Sequence, residues 1–257
     1  MKAPAKINIF LKITGLRGNY HEICSRFIRY DALYDEISFV PGTFTNFTIE
    51  GMSAIKKEHN IIYKAYKELL AHTKSKRLGE FFYHNKVHII KNIPMGAGLG
   101  GGSSDAATFL LMANKAVDLQ LEPQELAKIG AQVGADVPFF IYGYKAANVS
   151  GIGEKIEEFM DDIPPLELKL LPLHCDTAQV YQHYRKNYLK FDPKLASKMA
   201  QMSSRQIFEN FTPLIANDLY QSAIDLCPSL AKYRQNWYLS GSGSTIFRSE
   251  NENSGNK

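Results

Sequence analysis

An α+β fold is predicted for this chain, on three observations. Period-two and helical hydrophobic patterns both occur, yet no regular strand–helix–strand alternation runs through the sequence, which disfavours a doubly wound sheet. The length of 257 residues suits two small domains better than one, at about 150 residues each. After Tyr144 the texture changes to short strands between capped helices, which sets a boundary near Ser150 and domains of residues 1–150 and 151–257.

From Ala3 to Ile13 every odd position is apolar, while Lys6, Asn8 and Lys12 share the other face. That is the period of a half-buried strand, with Pro4 at its start or edge. Gly15–Tyr20 reads as a turn, followed by β-rich runs over Ile23–Val40 and Phe44–Glu50. Asn60 can cap a helix whose apolar positions are Ile62, Ala65, Tyr66, Leu69 and Leu70. Lys86–Asn92 alternates as a strand, a glycine-rich loop follows, and a helix runs from Ser103 to about Val117. Pro123 opens a further helix carrying Leu126, Ile129 and Val133. Beyond it, strands are expected at Lys145–Val149 and Leu166–Pro172, and helix starts at Asp176, at Asp192 before Pro193, and at Asn217.

Composition narrows the class. Hydrophobic residues make up 45% and charged residues 22%, which excludes disordered and collagen-like chains. No apolar run nears the roughly 20 residues of a membrane-spanning helix, so no membrane partner is expected. Cys24, Cys175 and Cys227 are odd in number and far apart, fitting neither a disulfide framework nor a zinc ribbon and suggesting a reducing cytoplasm. The net charge of +4 is spread out, apart from Lys74-Ser75-Lys76-Arg77, read as a solvated loop rather than a nucleic-acid patch. His84 and His88 form an H-x-x-x-H, but Asn85 replaces the glutamate of a zincin and the segment alternates as a strand; no protein-bound metal is expected there.

The strongest local signal is Pro94-Met95-Gly96-Ala97-Gly98-Leu99-Gly100-Gly101-Gly102-Ser103-Ser104-Asp105-Ala106-Ala107, with five glycines in seven residues. Between a strand and a helix, such a loop lets backbone N–H groups reach an anion, and the helix start adds its positive end. The reading is a phosphate cradle. A P-loop is excluded because no lysine precedes the serines. Gly96, Gly98 and Gly101 satisfy G-x-G-x-x-G, but a Rossmann unit needs an acidic residue ending a strand about 20 positions on. Here that distance falls on Leu121 and Glu122, at the entrance to a helix.

The loop resembles the ATP-binding motif P-x-x-x-G-L-G-(G)-S-S-x-A-A of the GHMP kinases, the superfamily of galactokinase, homoserine kinase, mevalonate kinase and phosphomevalonate kinase. Pro4-Ala5-Lys6-Ile7-Asn8-Ile9-Phe10-Leu11 and Gly134-Ala135-Asp136-Val137-Pro138-Phe139-Phe140 narrow the resemblance to the branch that acts on cytidine-diphosphate-linked methylerythritol. Tyr20-His21, Asn217-Asp218-Leu219 and Ser240-Gly241-Ser242-Gly243 recur in the same order, so the likeness extends from about residue 3 to 247. It implies a ribosomal-protein-S5-domain-2-like N-terminal domain, a ferredoxin-like C-terminal domain, and ATP with the magnesium it brings. The implied activity is phosphorylation of the substrate's 2-hydroxyl in non-mevalonate isoprenoid synthesis, by a monomer or weak homodimer. Alternatives are another small-molecule kinase of the superfamily or an inert binding protein of the same fold; retention of Lys6 and Asp136 argues against the latter.

By residue types alone, Asp136 is a turn aspartate and Lys6 an edge lysine. The resemblance implies more: Asp136 as base toward the hydroxyl, with Lys6 as its ion-pair partner. It implies nucleotide binding by Pro94 to Ser104 and by Asn60, and polyol binding by Asn8. Cytosine would stack between Tyr20 and Tyr181, with its edge read by His21 and with Thr177 nearby. Asn19 stands where the family has glycine, in a turn one residue shorter, and asparagine is expected to tolerate a left-handed backbone there.

Overall fold

Strand β1 covers Lys2–Arg17, longer than the alternating run predicts. Its odd positions from Ala3 to Ile13 are buried, as expected, but so are Lys6, Asn8 and Lys12. The half-buried expectation is therefore corrected: over residues 5–13 both faces of the strand are covered, and each of these three polar side chains has a partner. Lys12, for example, pairs with Asp218 and donates to the Ile215 carbonyl at 2.9 Å. Strand β2, Tyr20–Pro41, follows a tight turn and pairs with β1. The left-handed residue of that turn is Gly18, at φ +61°, so the left-handed backbone expected of Asn19 falls to its neighbour.

The computed structural model describes residues 1–52 and 55–250. They form two compact units, each discontinuous in sequence. The first comprises Met1–Lys6, Arg29–Met95 and Gly100–Tyr144; the second comprises Ile7–Ile28, Gly96–Leu99 and the described residues from Lys145 on.

In the first unit, β3 (Ile49–Glu50) pairs in parallel with β4 (Asn85–Ile90), which pairs antiparallel with the C-terminal half of β2. The predicted strand over Phe44–Glu50 shrinks to two residues because Phe47 leaves the ladder for an aromatic cluster. Its ring stacks on Tyr66 at 4.1 Å and meets Phe82 and Phe109 edge-on. Helix α1 (Ile61–Thr73) is capped as predicted, Asn60 Oδ1 accepting from Ile62 N at 2.8 Å. The basic cluster expected as a loop instead opens α2 (Lys76–Phe81), because the Ser75 hydroxyl accepts from Leu78 N. Helix α3 (Gly101–Ala116) starts two residues earlier than predicted. Helix α4 (Pro123–Val133) has its proline in the first turn and buries Leu126, Ile129 and Val133, as its period demands. The short α5 (Val137–Tyr142) was not anticipated; its proline sits in the first turn, where no donor is lost.

In the second unit, the N-terminal half of β2 pairs antiparallel with β5 (Ala146–Gly151), and β5 with β6 (Lys155–Glu158). A three-stranded sheet has the order β7 (Leu166–Lys169), β9 (Ile246–Ser249), β8 (Tyr238–Leu239). Helices α6 (Thr177–Asn187) and α7 (Pro193–Gln201) begin at Asp176 and Asp192 as read from sequence. They are followed by α8 (Ser204–Asn210), α9 (Pro213–Ala216) and α10 (Tyr220–Leu226). Asn217 does not start a helix. It ends α9, and its side chain turns the chain by accepting from Leu219 N and donating to the Leu239 and Gly241 carbonyls. The Asn217-Asp218-Leu219 motif thus holds the Ser-Gly-Ser-Gly turn, while Asp218 takes the Ile13 N–H at 2.8 Å.

Candidate active site

Lys6 and Asp136, far apart in sequence, meet in the first unit. Lys6 Nζ lies 3.6 Å from Asp136 Oδ2, an ion-pair distance. The lysine side chain is 6% exposed and the carboxylate 28%, so the acid is the member open to a ligand. Asp136 occupies the cap position of α5, yet its side chain caps nothing. Its carboxylate therefore remains available for chemistry. Burial pulls the Lys6 ammonium below the usual lysine range, with the negative charge of Asp136 opposing the shift.

Helix α3 begins beside Lys6. Gly100, at φ +67°, precedes the helix, and a Cβ there would lie 3.0 Å from Lys6 Cγ and 3.2 Å from Lys6 Cε. Its first-turn N–H groups have no partners within the helix, and sixteen residues of aligned dipole stand behind them. Ser104 Oγ is buried without a hydrogen-bond partner among the described residues. An orphan hydroxyl beside open helix donors fits a phosphate and the magnesium it carries. Pro94 and Met95 are exposed at the start of the loop.

Three residues that the sequence reading left without a role hold both ends of this loop. Asp35, on β2, is fully buried; its Oδ1 accepts from Asn92 N at 2.6 Å and Ile93 N at 2.8 Å. Lys91 bridges Asp35 and Asp105, reaching Asp105 Oδ2 at 2.7 Å. Asp105 lies in the second turn of α3, and its Oδ1 has no partner among the described residues. One ammonium thus serves two buried carboxylates. Burial pushes the Asp105 carboxyl up to about 7; Lys91 opposes the shift and Asp35 adds to it.

A proton held more tightly when folded means that stability contributed by Asp105 is greatest at acid pH and falls as pH rises toward 7. Asp105→Asn cannot lose that proton. Its urea midpoint is expected to gain on the wild type between pH 5 and pH 8; a constant difference across that range would rule out a protonated Asp105. Asp105 appears in the motif string, but nothing in one sequence marks the lysine and second acid that give it a function.

In the second unit, the middle of the loop is fastened to the Ser-Gly-Ser-Gly turn. Ser240 Oγ donates to Gly98 O at 2.9 Å and Thr245 N to Ala97 O at 3.1 Å, with Ala97 and Leu99 buried. A Cβ on Gly96 would meet the His174 ring at 2.9 Å. Asn8 is buried, its amide donating to Ser25 Oγ at 2.9 Å and its backbone N–H to Ser240 Oγ at 3.3 Å. The structure therefore engages Asn8 in anchoring β1.

The same unit brings His21 and Tyr181 together. Their ring centroids are 5.0 Å apart at a 42° tilt, and Tyr184 meets His21 edge-on at 6.2 Å. His21 Nε2 is buried without a hydrogen-bond partner among the described residues. Burial, then the charge of Arg185, lowers the imidazole's pKa and favours the neutral ring. A neutral ring offers one donor and one acceptor. Thr177 Oγ1 is 2.9 Å from Ser242 Oγ, and Asp176 caps α6 through Gln179 N. Tyr20 opens β2, directly after the turn, with 65% of its surface exposed.

Asn60 spends its Oδ1 on capping α1 and its Nδ2 on Met52 Sδ at 3.5 Å. It also lines a pocket of about 220 Å³ in the first unit, with Phe47, Ile49, Met52, Ile55 and Lys57. His88, on β4, is bonded to Glu50 at 3.2 Å, in the strand expected for it. No helix among the described residues is long and apolar enough to cross a membrane.

Comparison with known proteins gives the family. Residues 60–144 match the family model described as GHMP kinases N terminal domain. The chain is 47% identical over 251 residues to 4-diphosphocytidyl-2-C-methyl-D-erythritol kinase of Sulfurovum sp. (strain NBC37-1), covering 96% of this chain and 98% of that one. It is 48% identical over 259 residues to the protein of the same name from Sulfurimonas denitrificans, covering 98% and 97%. A crystal structure of 4-(cytidine 5'-diphospho)-2C-methyl-D-erythritol kinase superposes with a TM-score of 0.74 at 28% identity, over 96% of this chain and 88% of that one. With that identity running over nearly its whole length, the chain belongs to the 4-diphosphocytidyl-2-C-methyl-D-erythritol kinase family of GHMP kinases.

Proposed function

We propose that this protein transfers the terminal phosphoryl group of ATP to the 2-hydroxyl of 4-diphosphocytidyl-2-C-methyl-D-erythritol, giving the 2-phosphate and ADP in non-mevalonate isoprenoid synthesis. The observation that carries the reading is the Lys6–Asp136 pair beside the open start of α3. Phosphoryl transfer asks a protein for a positioned hydroxyl, a proton acceptor, and positive charge around the moving phosphate. Asp136 accepts the proton of the substrate hydroxyl. Lys6, 3.6 Å away, is the counter-ion of that carboxylate and stabilises the charge that develops. The α3 N–H groups would hold the phosphates of ATP, and the Ser104 hydroxyl would hold the magnesium that ATP brings, which would supply positive charge there. The pocket lined by Asn60 suits a purine.

Substrate choice falls to His21, Tyr181 and Tyr20, with Thr177 steadying the start of α6 through Ser242. Stacking tolerates any base; the unpartnered His21 Nε2 supplies the edge contact that distinguishes cytosine. Tyr181→Ala is expected to weaken CDP binding roughly ten- to a hundred-fold, the worth of about 1–3 kcal/mol per lost stack, and to leave ATP binding as it was. His21→Ala should erode the preference for CDP over UDP more than total affinity. Competition titrations with both nucleotides on the three proteins test this, and equal binding of CDP and UDP throughout would remove the cytidine pocket. The reaction itself is tested by ADP release with the CDP-linked alcohol, the same alcohol without CDP, and mevalonate. Turnover with mevalonate alone would overturn the assignment.

A further inference from the structure

Cys175 and Cys227 lie 52 positions apart in sequence, yet the second unit brings their sulfurs to 3.4 Å. Both are free thiols, Cys175 buried and Cys227 partly exposed. The Cys175 S–H points to the Cys227 sulfur, and Cys227 in turn faces the His174 carbonyl at 3.8 Å. We propose that this pair is a reversible oxidation site, a dithiol that a hydroperoxide converts to an intramolecular disulfide beside the start of α6.

Geometry and chemistry converge on this assignment. A disulfide bond is about 2.03–2.05 Å long, so the sulfurs need approach by only about 1.4 Å. Cys227, the more exposed sulfur, attacks the peroxide as its thiolate: an S–O bond forms, the O–O bond breaks, and hydroxide leaves. Cys175 then attacks the resulting sulfenic sulfur; the S–S bond forms, the S–O bond breaks, and the hydroxyl departs with the Cys175 proton as water. Two thiols and one peroxide thus give one disulfide and two waters, with two electrons passing from sulfur to oxygen. Burial and its hydrogen bond push the Cys175 thiol up to about 12, which suits the resolving partner rather than the first attacker.

The pair also sits where a cross-link would be felt. Cys175 immediately precedes Asp176, the cap of α6, and Cys227 ends α10. A Cβ on Gly243 would fall 3.4 Å from Cys175 Sγ, so the thiol lies against the turn whose Ser242 bonds Thr177. Cys24, by contrast, is occupied elsewhere, facing Ala196 O at 3.6 Å.

The test is hydrogen peroxide treatment of the intact protein, followed by thiol titration under denaturing conditions and mass mapping of proteolytic fragments. Titratable thiols should fall from three to one, with the 175-containing and 227-containing fragments joined, and a dithiol reductant should restore all three. Cys24→Ser should cross-link as the wild type does. Cys175→Ser should not cross-link, and should instead leave a sulfenic acid at Cys227 that dimedone traps. Three persistent thiols, a bridge to Cys24, or oxidation of Cys227 to sulfinic acid without cross-linking in the wild type would each overturn the proposal. The wild-type measurement stands alone should the buried Cys175→Ser variant fail to fold.

Discussion

Asp136→Asn is expected to lower kcat by roughly 10²–10⁴, the usual worth of a positioned general base, with the KM for ATP changed little. The variant keeps the shape of the acid and loses its ability to hold a proton. No capping bond is forfeited, because the carboxylate makes none at the start of α5. Asp136→Asn should therefore fold with a thermal midpoint close to that of the wild type, although the Lys6 charge 3.6 Å away loses its counterion. A variant that folds normally and turns over within a factor of ten of the wild type would remove Asp136 from the role of base.

Lys6→Ala should cost a similar factor, since the two residues act as one unit. The double variant should be little worse than either single one, and losses that multiply would show independent action. Lys6→Met, which keeps most of the buried stem, separates charge from packing. Because burial lowers the Lys6 pKa, the alkaline limb of the kcat profile should begin below the range of an ordinary lysine. Lys6→Arg, if active, should move that limb upward.

The parts of this molecule legible in its sequence are those that local physics dictates. The period of β1, the Asn60 cap, Pro123 at a helix start and the Asp176 and Asp192 caps each depend on residues within a turn of one another. The short helices α5, α8 and α9 were missed because four to seven residues hold too little periodicity to register. The polar face of β1 reads as exposed by its period, since one strand cannot reveal Asp218 as the partner of Lys12, and only the resemblance pairs Lys6 with Asp136. The candidate site followed the same division. Its motifs were visible, while the Asp35–Lys91–Asp105 bridge and the Cys175–Cys227 contact exist only once distant segments are folded together.

Gly98→Ala is expected to be the most damaging small substitution in the loop, and for a reason other than the phosphate. Gly98 has φ +75°, and a Cβ built on it would stand 2.1 Å from the Ser240 carbonyl oxygen and 3.1 Å from that of Gly243. Neither is the end of a flexible side chain, so backbone must move. A left-handed residue costs about 1–2 kcal/mol when it carries a side chain, and overpacking about 1–3 kcal/mol more. At about 2–4 °C per kcal/mol for a chain of this size, the thermal midpoint should fall by roughly 5–20 °C. Gly102 makes the contrast. It lies in the first turn of α3, is exposed, and its Cβ would come no nearer than 3.7 Å to a neighbour, Ile61 Cγ2. Gly102→Ala should fold at least as stably as the wild type, because alanine favours a helix over glycine by about 1 kcal/mol. If phosphate approaches the open N–H groups of that turn, the same methyl should raise the KM for ATP several-fold. Thermal melts and ATP titrations on the two variants separate the two uses of glycine: Gly98 for the turn behind the loop, Gly102 for the anion before it. A Gly98→Ala protein that melts with the wild type would refute the first, and an unchanged KM in Gly102→Ala the second.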